Sequence, residues 1–243
     1  MVFIKSGFGS FDTFIGGGFQ PGYPWLLVAD REAEGAAVAV ACTTSWRFIA
    51  RSYPTLIMTA RHPWGLSMQR YKTAIPKIHQ SLKRAGRGGK LLVVNFVNYP
   101  KYTPAFKYEL CLEPMFYATQ IYEKIARMLE GLKAEKKPLF WRLSSISTLL
   151  RYWTSGKVID TLEHLLPYLH GRGAVGVTTI NQELVQQAML DQMVSLFPNV
   201  AYVCTKLKPR VRYQIQIVKA YNPRASPNKR ELRITPKYDV VIT

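Results

Sequence analysis

Between Asn95 and Tyr108 the chain reads Asn-Phe-Val-Asn-Tyr99-Pro-Lys101-Tyr102-Thr-Pro-Ala-Phe-Lys107-Tyr108, interleaving rings with lysines. That mixture suits single-stranded nucleic acid, because bases stack on rings while ammonium groups follow the phosphates. The same residues also admit a plainer reading, in which Phe96, Phe106 and Tyr108 pack beneath a proline-rich loop. A second set, Arg70, Lys77 and Arg84, recurs every seven residues, and Lys83 and Arg87 extend it. It reads either as a solvated helix face or as a row of phosphate contacts, and Pro76 interrupts its register. A third set, Lys206, Lys208, Arg210 and Arg212, alternates along an extended segment, so its side chains fall on one side.

Other chemistries find little support. His62, His79, His164 and His170 show no metal-ligand spacing and no order that would make a hydrolytic triad. Cys42, Cys111 and Cys204 are odd in number and lack CxxC pairing, which speaks against zinc and a disulfide framework. No metal and no cofactor is expected. The longest apolar runs are far too short to span a bilayer, no secretory signal opens the sequence, and a cytoplasmic protein without membrane contact is expected.

The charge is unevenly placed. The 243 residues carry 33 Lys and Arg against 15 Asp and Glu, a net charge of +18. From Gly35 to Tyr108, 74 residues hold twelve cations and no carboxylate; from Gln192 to Arg230, 39 residues hold eight cations and no carboxylate. The remaining 130 residues carry 13 cations and 15 acids, so the whole excess sits in two windows. Such surfaces attract polyanions over about a Debye length, roughly 8 to 10 Å.

These groups need elements to hold them. Short apolar runs at 25–29, 55–59, 90–96, 139–143 and 174–179 alternate with helical patterns at about 33–50, 64–85, 114–133, 158–169 and 183–196, the alternation of a largely parallel α/β sheet. Beyond Pro198, segments 200–206, 212–219, 231–235 and 239–242 read as antiparallel strands. The expectation is one domain over 1–243, with an α/β core at 1–197 and antiparallel strands at 198–243.

The opening, Gly7-Phe-Gly-Ser-Phe-Asp-Thr-Phe-Ile-Gly16-Gly-Gly18-Phe-Gln-Pro-Gly22, runs into the first strand and a helix. With the closing segments Val211–Ala220, Arg233–Thr235 and Tyr238–Ile242, it resembles the KaiC and RadA-paralogue branch of RecA-like ATPases. The resemblance implies a RecA-like, mostly parallel central sheet flanked by helices, with C-terminal antiparallel hairpins. It also implies a phosphate loop, GxxxxGK[ST], after the first strand. There the lysine neutralises phosphate, the hydroxyl holds Mg²⁺ and the glycines let backbone N–H groups reach the oxygens.

This chain has Asp30-Arg-Glu32-Ala-Glu34-Gly35-Ala36 in that place. Spacing from Gly22 puts the lysine position on Gly35 and the hydroxyl position on Ala36, with Glu32 and Glu34 where glycines stand in the family. Each carboxylate beside a phosphate costs about 1 to 4 kcal/mol. Arg61 falls at the end of the second strand, where the resemblance implies a water-activating acid, and Arg142 falls where it implies the Mg²⁺-associated Asp. Two expectations follow for the acids. Either Arg142 and Arg61 plug the vacated site by pairing with Asp30, Glu32 and Glu34, or Glu32 and Glu34 begin a helix whose dipole favours them. The position of Ser144–Lys157 corresponds to a DNA-contacting loop of the family's recombinases and brings in Arg151, Tyr152, Trp153 and Lys157.

The functional expectation is a catalytically inactive RecA-like protein that binds nucleic acid, DNA rather than RNA, as an accessory in recombination or repair. The alternative is a structural or regulatory subunit that associates with an active RecA-like ATPase, or with further copies of itself.

Overall fold

The computed structural model describes residues 2–60, 64–96, 106–112, 115–132, 137–206, 212–235 and 240–243. Phe11 and Phe14, buried on the short helix α1 (Gly9–Phe14), lead into Gly16, Gly17 and Gly18. All three glycines hold positive φ, 85°, 113° and 131°, a region that L side chains avoid. A Cβ on Gly18 would lie 2.8 Å from the Ile4 carbonyl oxygen, and one on Gly16 would lie 2.3 Å from Asn222 Nδ2. The turn therefore closes only without side chains. β1 (Trp25–Ala29) follows with every residue buried, the pattern of a strand covered on both faces.

The chain continues through α2 (Glu34–Ala50), β2 (Thr55–Thr59), α3 (Trp64–Ala74), α4 (Pro76–Arg87), β3 (Leu91–Asn95) and β4 (Glu109–Cys111). Next come α5 (Ala118–Glu130), β5 (Phe140–Leu143), α6 (Ile146–Leu149), α7 (Ser155–Gly171) and β6 (Val175–Asn181). A 3-10 turn (Gln182–Leu184) precedes α8 (Gln187–Leu196), and β7 (Asn199–Lys206), β8 (Arg212–Lys219), β9 (Arg230–Ile234) and β10 (Val240–Ile242) complete it.

The strands form one sheet in the order β10-β9-β8-β7-β1-β6-β5-β2-β3-β4. β1 is central and pairs in parallel with β6 and β7. From β7 outward the pairing turns antiparallel. The α/β class with its antiparallel C-terminal strands is as expected. Several details differ, among them that α6 lies within a segment read as loop and that α7 begins at Ser155 rather than Val158. The edge strand β4 was not foreseen, α5 starts at Ala118 rather than at Pro114, and the helix foreseen over 183–196 divides into a 3-10 turn and α8.

Strand alternation sorts the core into two layers. One side carries Leu26, Val28, Leu56, Met58, Leu92, Val94 and Trp141, covered by α5, α6, α7 and α8. The other carries Trp25, Leu27, Ala201, Val203, Ile215 and Ile217 beneath α1 and α2. That same face continues to Ile57, Leu91 and Val93 beneath α3 and α4.

Candidate functional site

Two regions carry the charge chemistry: the loop between β1 and α2, and the helical hairpin α3–α4. In the loop only residues 30–33 separate strand from helix. Asp30 is held by three donors: the Ala33 N–H at 2.6 Å, the Thr205 N–H at 2.7 Å and the Thr205 hydroxyl at 3.1 Å. Its carboxylate thus starts the turn into α2 and ties the end of β1 to the end of β7. Glu34 begins α2 and accepts from Asn181 Nδ2 at 3.1 Å. Glu32 is exposed, and Glu183 accepts from the Arg31 N–H at 3.3 Å.

Because β1 ends at Ala29, a motif counted from Asp30 puts Gly35 on the second glycine, Ala36 on the lysine and Ala37 on the hydroxyl. This is one residue later than the spacing from Gly22 gives. Ala36 and Ala37 are buried, while Gly35 is exposed.

The expected plug does not form on the Arg142 side. Arg142 is 5% exposed and reaches α2 and α3, with Nη1 donating to Cys42 Sγ at 2.8 Å and to Ser45 Oγ at 3.2 Å. It also meets the Tyr71 hydroxyl. β5 pairs Arg142 with Ile57 and Val177, so alternation sends it into the layer beneath α2 and away from the loop carboxylates. Burial pulls its guanidinium pKa down, and the fields of Cys42 and Tyr71 push it up by more. Cys42, together with burial, pushes the Tyr71 phenol up against the pull of Arg142. The other half of the plug, Arg61, lies outside the described residues. The helix-start reading of the acids fits Glu34, which sits in the first turn of α2.

The hairpin is built differently. α4 turns Ile78, Leu82 and Ala85, at i, i+4 and i+7, toward Ile49, Leu91 and Val93. Its outer face exposes Lys77, Lys83, Arg84 and Arg87, and α3 adds exposed Arg70 and Lys72. The seven-residue stripe does not run through one helix. Ile75, at φ −144°, breaks it and Pro76 opens α4, since proline is tolerated at a first helical position. Arg84 and Arg87 fall in the last turn of α4, where cations complement the helix dipole. Among the described residues no ion pair reaches any of these six cations.

Gly86 lets the next loop approach: a Cβ there would meet the Phe106 ring at 2.4 Å. Phe106 therefore packs on α4. Phe96 is buried edge-on against Trp153 at 4.9 Å, and Tyr108 packs on the core. The packing reading holds for these three rings. Lys107 is exposed beside Tyr108, 5.4 Å from its ring. Tyr99, Lys101 and Tyr102 lie outside the described residues, as do Lys208 and Arg210. Lys206 and Arg212 are exposed at the facing ends of β7 and β8 and are register partners.

In the 144–157 segment Trp153 is buried and carries Lys157 over its ring at 4.4 Å. Burial lowers the Lys157 pKa. Tyr152 is half exposed. Burial pushes the Cys111 thiol up, with Asn95 opposing and Glu109 adding.

The sequence reading missed that Asp30 is a structural acceptor. Its signal was Asp three residues before the Ala33 N–H at the end of an apolar run, where a short acidic side chain can close a turn on nearby backbone. Two surface cavities, of about 290 and 140 Å³, lie elsewhere. One is lined by Tyr23, Pro24, Pro167 and His170, the other by Pro54, Leu132 and Pro138. Among the described residues no group of His, Cys, Asp or Glu could hold a metal ion. No described helix is long and apolar enough to cross a membrane.

A mostly parallel sheet with helices on both faces and antiparallel strands after β7 is the architecture of a RecA-like, KaiC-like fold. Among solved structures the chain is similar to the KaiC-like protein PH0186 of the hyperthermophilic archaeon Pyrococcus horikoshii OT3. The TM-score is 0.73 with 17% identity, over 100% of this chain and 99% of that one. Likeness at this identity concerns the fold. No protein-family model and no curated protein matches the sequence.

Proposed function

We propose that this chain is a KaiC-like-fold protein that has given up nucleotide chemistry and binds nucleic acid, DNA rather than RNA, as an accessory in recombination or repair. The observation that carries the reading is the outer face of α3–α4. Six exposed cations stand there without an ion-pair partner among the described residues, inside a window of 74 residues that contains no acid.

The loop supports the first half of the reading. In either register it lacks the lysine and the hydroxyl a triphosphate needs. Its carboxylate Asp30 already occupies backbone donors. The resemblance implies a metal-binding acid on the strand that carries Arg142 here, and the Arg142 side chain is buried against Cys42 and Ser45. Single-domain organisation and a cytoplasmic location belong to the same proposal.

Fluorescence anisotropy with labelled duplex, repeated across salt, tests it. Six phosphate contacts give a log–log slope of about −5. Absence of binding at low salt removes the reading and leaves a subunit of an active RecA-like partner as its successor. Titration calorimetry with Mg²⁺-ATP is expected to show no heat of binding, and micromolar affinity would overturn the first half.

A further inference from the structure

The cavity of about 290 Å³ lies where Tyr23 and Pro24 enter β1 and Pro198 enters β7, against the later turns of α7. It is thus at the other end of β1 from Asp30. Its volume is at the lower end of small-molecule sites, which run from roughly 300 to 1,000 Å³. Pro24, Leu166, Pro167, Leu196 and Pro198 give it apolar walls.

The polar atoms of this lining accept hydrogen bonds and have no donor to spare. The three prolines carry no N–H. The Gly22 N–H is bonded to the Ala174 carbonyl oxygen at 3.0 Å, and the Tyr23 N–H to that of Gln20 at 3.1 Å. The N–H groups of Glu163, Leu166, His170 and Leu196 lie beyond the first turns of α7 and α8, where the helical ladder takes them. The Tyr23 hydroxyl is bonded to Tyr221, on whose ring Tyr23 stacks at 4.1 Å.

The acceptors, by contrast, are open. His170 Nδ1 lies 2.9 Å from the Gly22 carbonyl oxygen, which can only accept. Nδ1 therefore carries the proton, and Nε2 of the uncharged ring is an acceptor. Pro167, inside α7, withholds the N–H that the Glu163 carbonyl oxygen would otherwise receive. The Glu163 carboxylate is exposed and meets no cation among the described residues. His170 stands in the last turn of α7, where the helix dipole favours positive charge. Lys219, outside the lining, is held by the Val194 and Ser195 carbonyl oxygens.

We infer that this cavity binds a small organic cation, an ammonium on an apolar body such as an arylalkylamine. The head meets the Glu163 oxygens and His170 Nε2, and the body rests on the leucines and prolines. An anion would face the carboxylate, and an alcohol brings one proton where an ammonium brings three. The inference is independent of the nucleic-acid reading.

The test titrates phenylethylammonium into the full chain at slightly alkaline pH and follows the histidine rings by NMR. The His170 signals are expected to shift saturably, with a dissociation constant of about 1 mM for a ligand of this size, while His79 on α4 stays unmoved. Phenylethanol, the neutral probe of the same shape, is expected to bind about tenfold more weakly. Glu163→Gln changes an exposed helix residue and is expected to weaken the amine about tenfold without changing the alcohol. Pro167→Ala, which returns an N–H to the Glu163 carbonyl, serves if that variant does not fold and should weaken the amine about threefold.

An alcohol that binds as well as the amine overturns the demand for a donor, and an amine indifferent to both variants overturns the placement of its head. A lysine tripeptide that binds more tightly than the amine overturns the small-ligand assignment in favour of a protein side chain. A His170 ring that never responds removes the site. Each of these results leaves the duplex titrations untouched.

Discussion

The loop after β1 and the α3–α4 hairpin both concentrate charge, and they dispose of it in opposite ways. Asp30 and Glu34 are spent inside the molecule, on N–H groups and side chains of β6 and β7. The hairpin's cations meet no carboxylate among the described residues. A charge answered from within holds the fold together; a charge left unanswered can be answered from outside. The contrast sets acids that hold the centre of the sheet together against cations on the hairpin that have no carboxylate partner among the described residues.

The sharpest way to break that contrast is to reverse the hairpin. Lys77→Glu, Lys83→Glu, Arg84→Glu and Arg87→Glu together are expected to lower duplex affinity by about a thousandfold, roughly 4 kcal/mol. The salt slope should become shallower by about 3.6, as four phosphate contacts are lost. Anisotropy reads both, and a variant with wild-type slope would show that the hairpin faces solvent only.

The loop should respond in stability rather than in binding. Asp30→Ala strands the Ala33 and Thr205 donors and is expected to cost about 3 kcal/mol by urea denaturation, with duplex affinity unchanged. A loss below about 0.5 kcal/mol would mean that Asp30 is not a tie between β1 and β7.

Arg142 is a case between the two, a cation turned inward without a carboxylate partner among the described residues. Its Nε is buried without a partner. Arg142→Met is expected to be neutral or to stabilise by about 1 to 2 kcal/mol, as replacement of poorly compensated buried charge commonly does. A marked fall in the urea midpoint would reveal an anionic partner for the guanidinium.

The smallest effect concerns Glu231 on β9. The Arg233 fork holds the Glu231 carboxyl below its ordinary value, against a partial desolvation that raises it, with help from Arg212. A carboxylate whose native pKa is depressed adds stability that is complete above its unfolded pKa, about 4.3. That stability is lost as pH falls through the native value. Carboxyl NMR of Glu231 should therefore titrate below an ordinary glutamate, and Arg233→Gln should return it toward normal.

Much of this was legible in the chain. Five-residue apolar runs such as Thr55–Thr59 and Leu91–Asn95 announce buried parallel strands because nothing else suits a segment covered on both faces. Gly16–Gly18 announces a turn because only glycine adopts those angles. What escaped was set by distant partners. β4 has three residues, too few for a period, and exists because β3 offers it an edge. Pro76 marked the break in the stripe of Arg70, Lys77 and Arg84 in advance, but not that Ile75 would divide it between two helices. Arg142 was expected to meet the nearest acids along the sheet edge. Strand parity, fixed by its pairing with Ile57, aimed it into the opposite layer.

Asn222 Nδ2 donates to the carbonyl oxygens of Ile15 and Gly16, 207 and 206 residues earlier. The glycine turn is thus latched by a side chain that leaves the ribosome long after it. Until that amide arrives, the turn is closed only by its own backbone, with the Gly16 and Gly17 N–H groups donating to Thr13 and Asp12 and with Ile4 and Phe19 paired across its base, so a nascent chain must carry its first aromatic cluster without this side-chain latch through most of synthesis. Topologies closed by such remote partners assemble late and slowly. Refolding from urea should show Trp25, which packs on Phe11, reaching its native fluorescence only in the final phase.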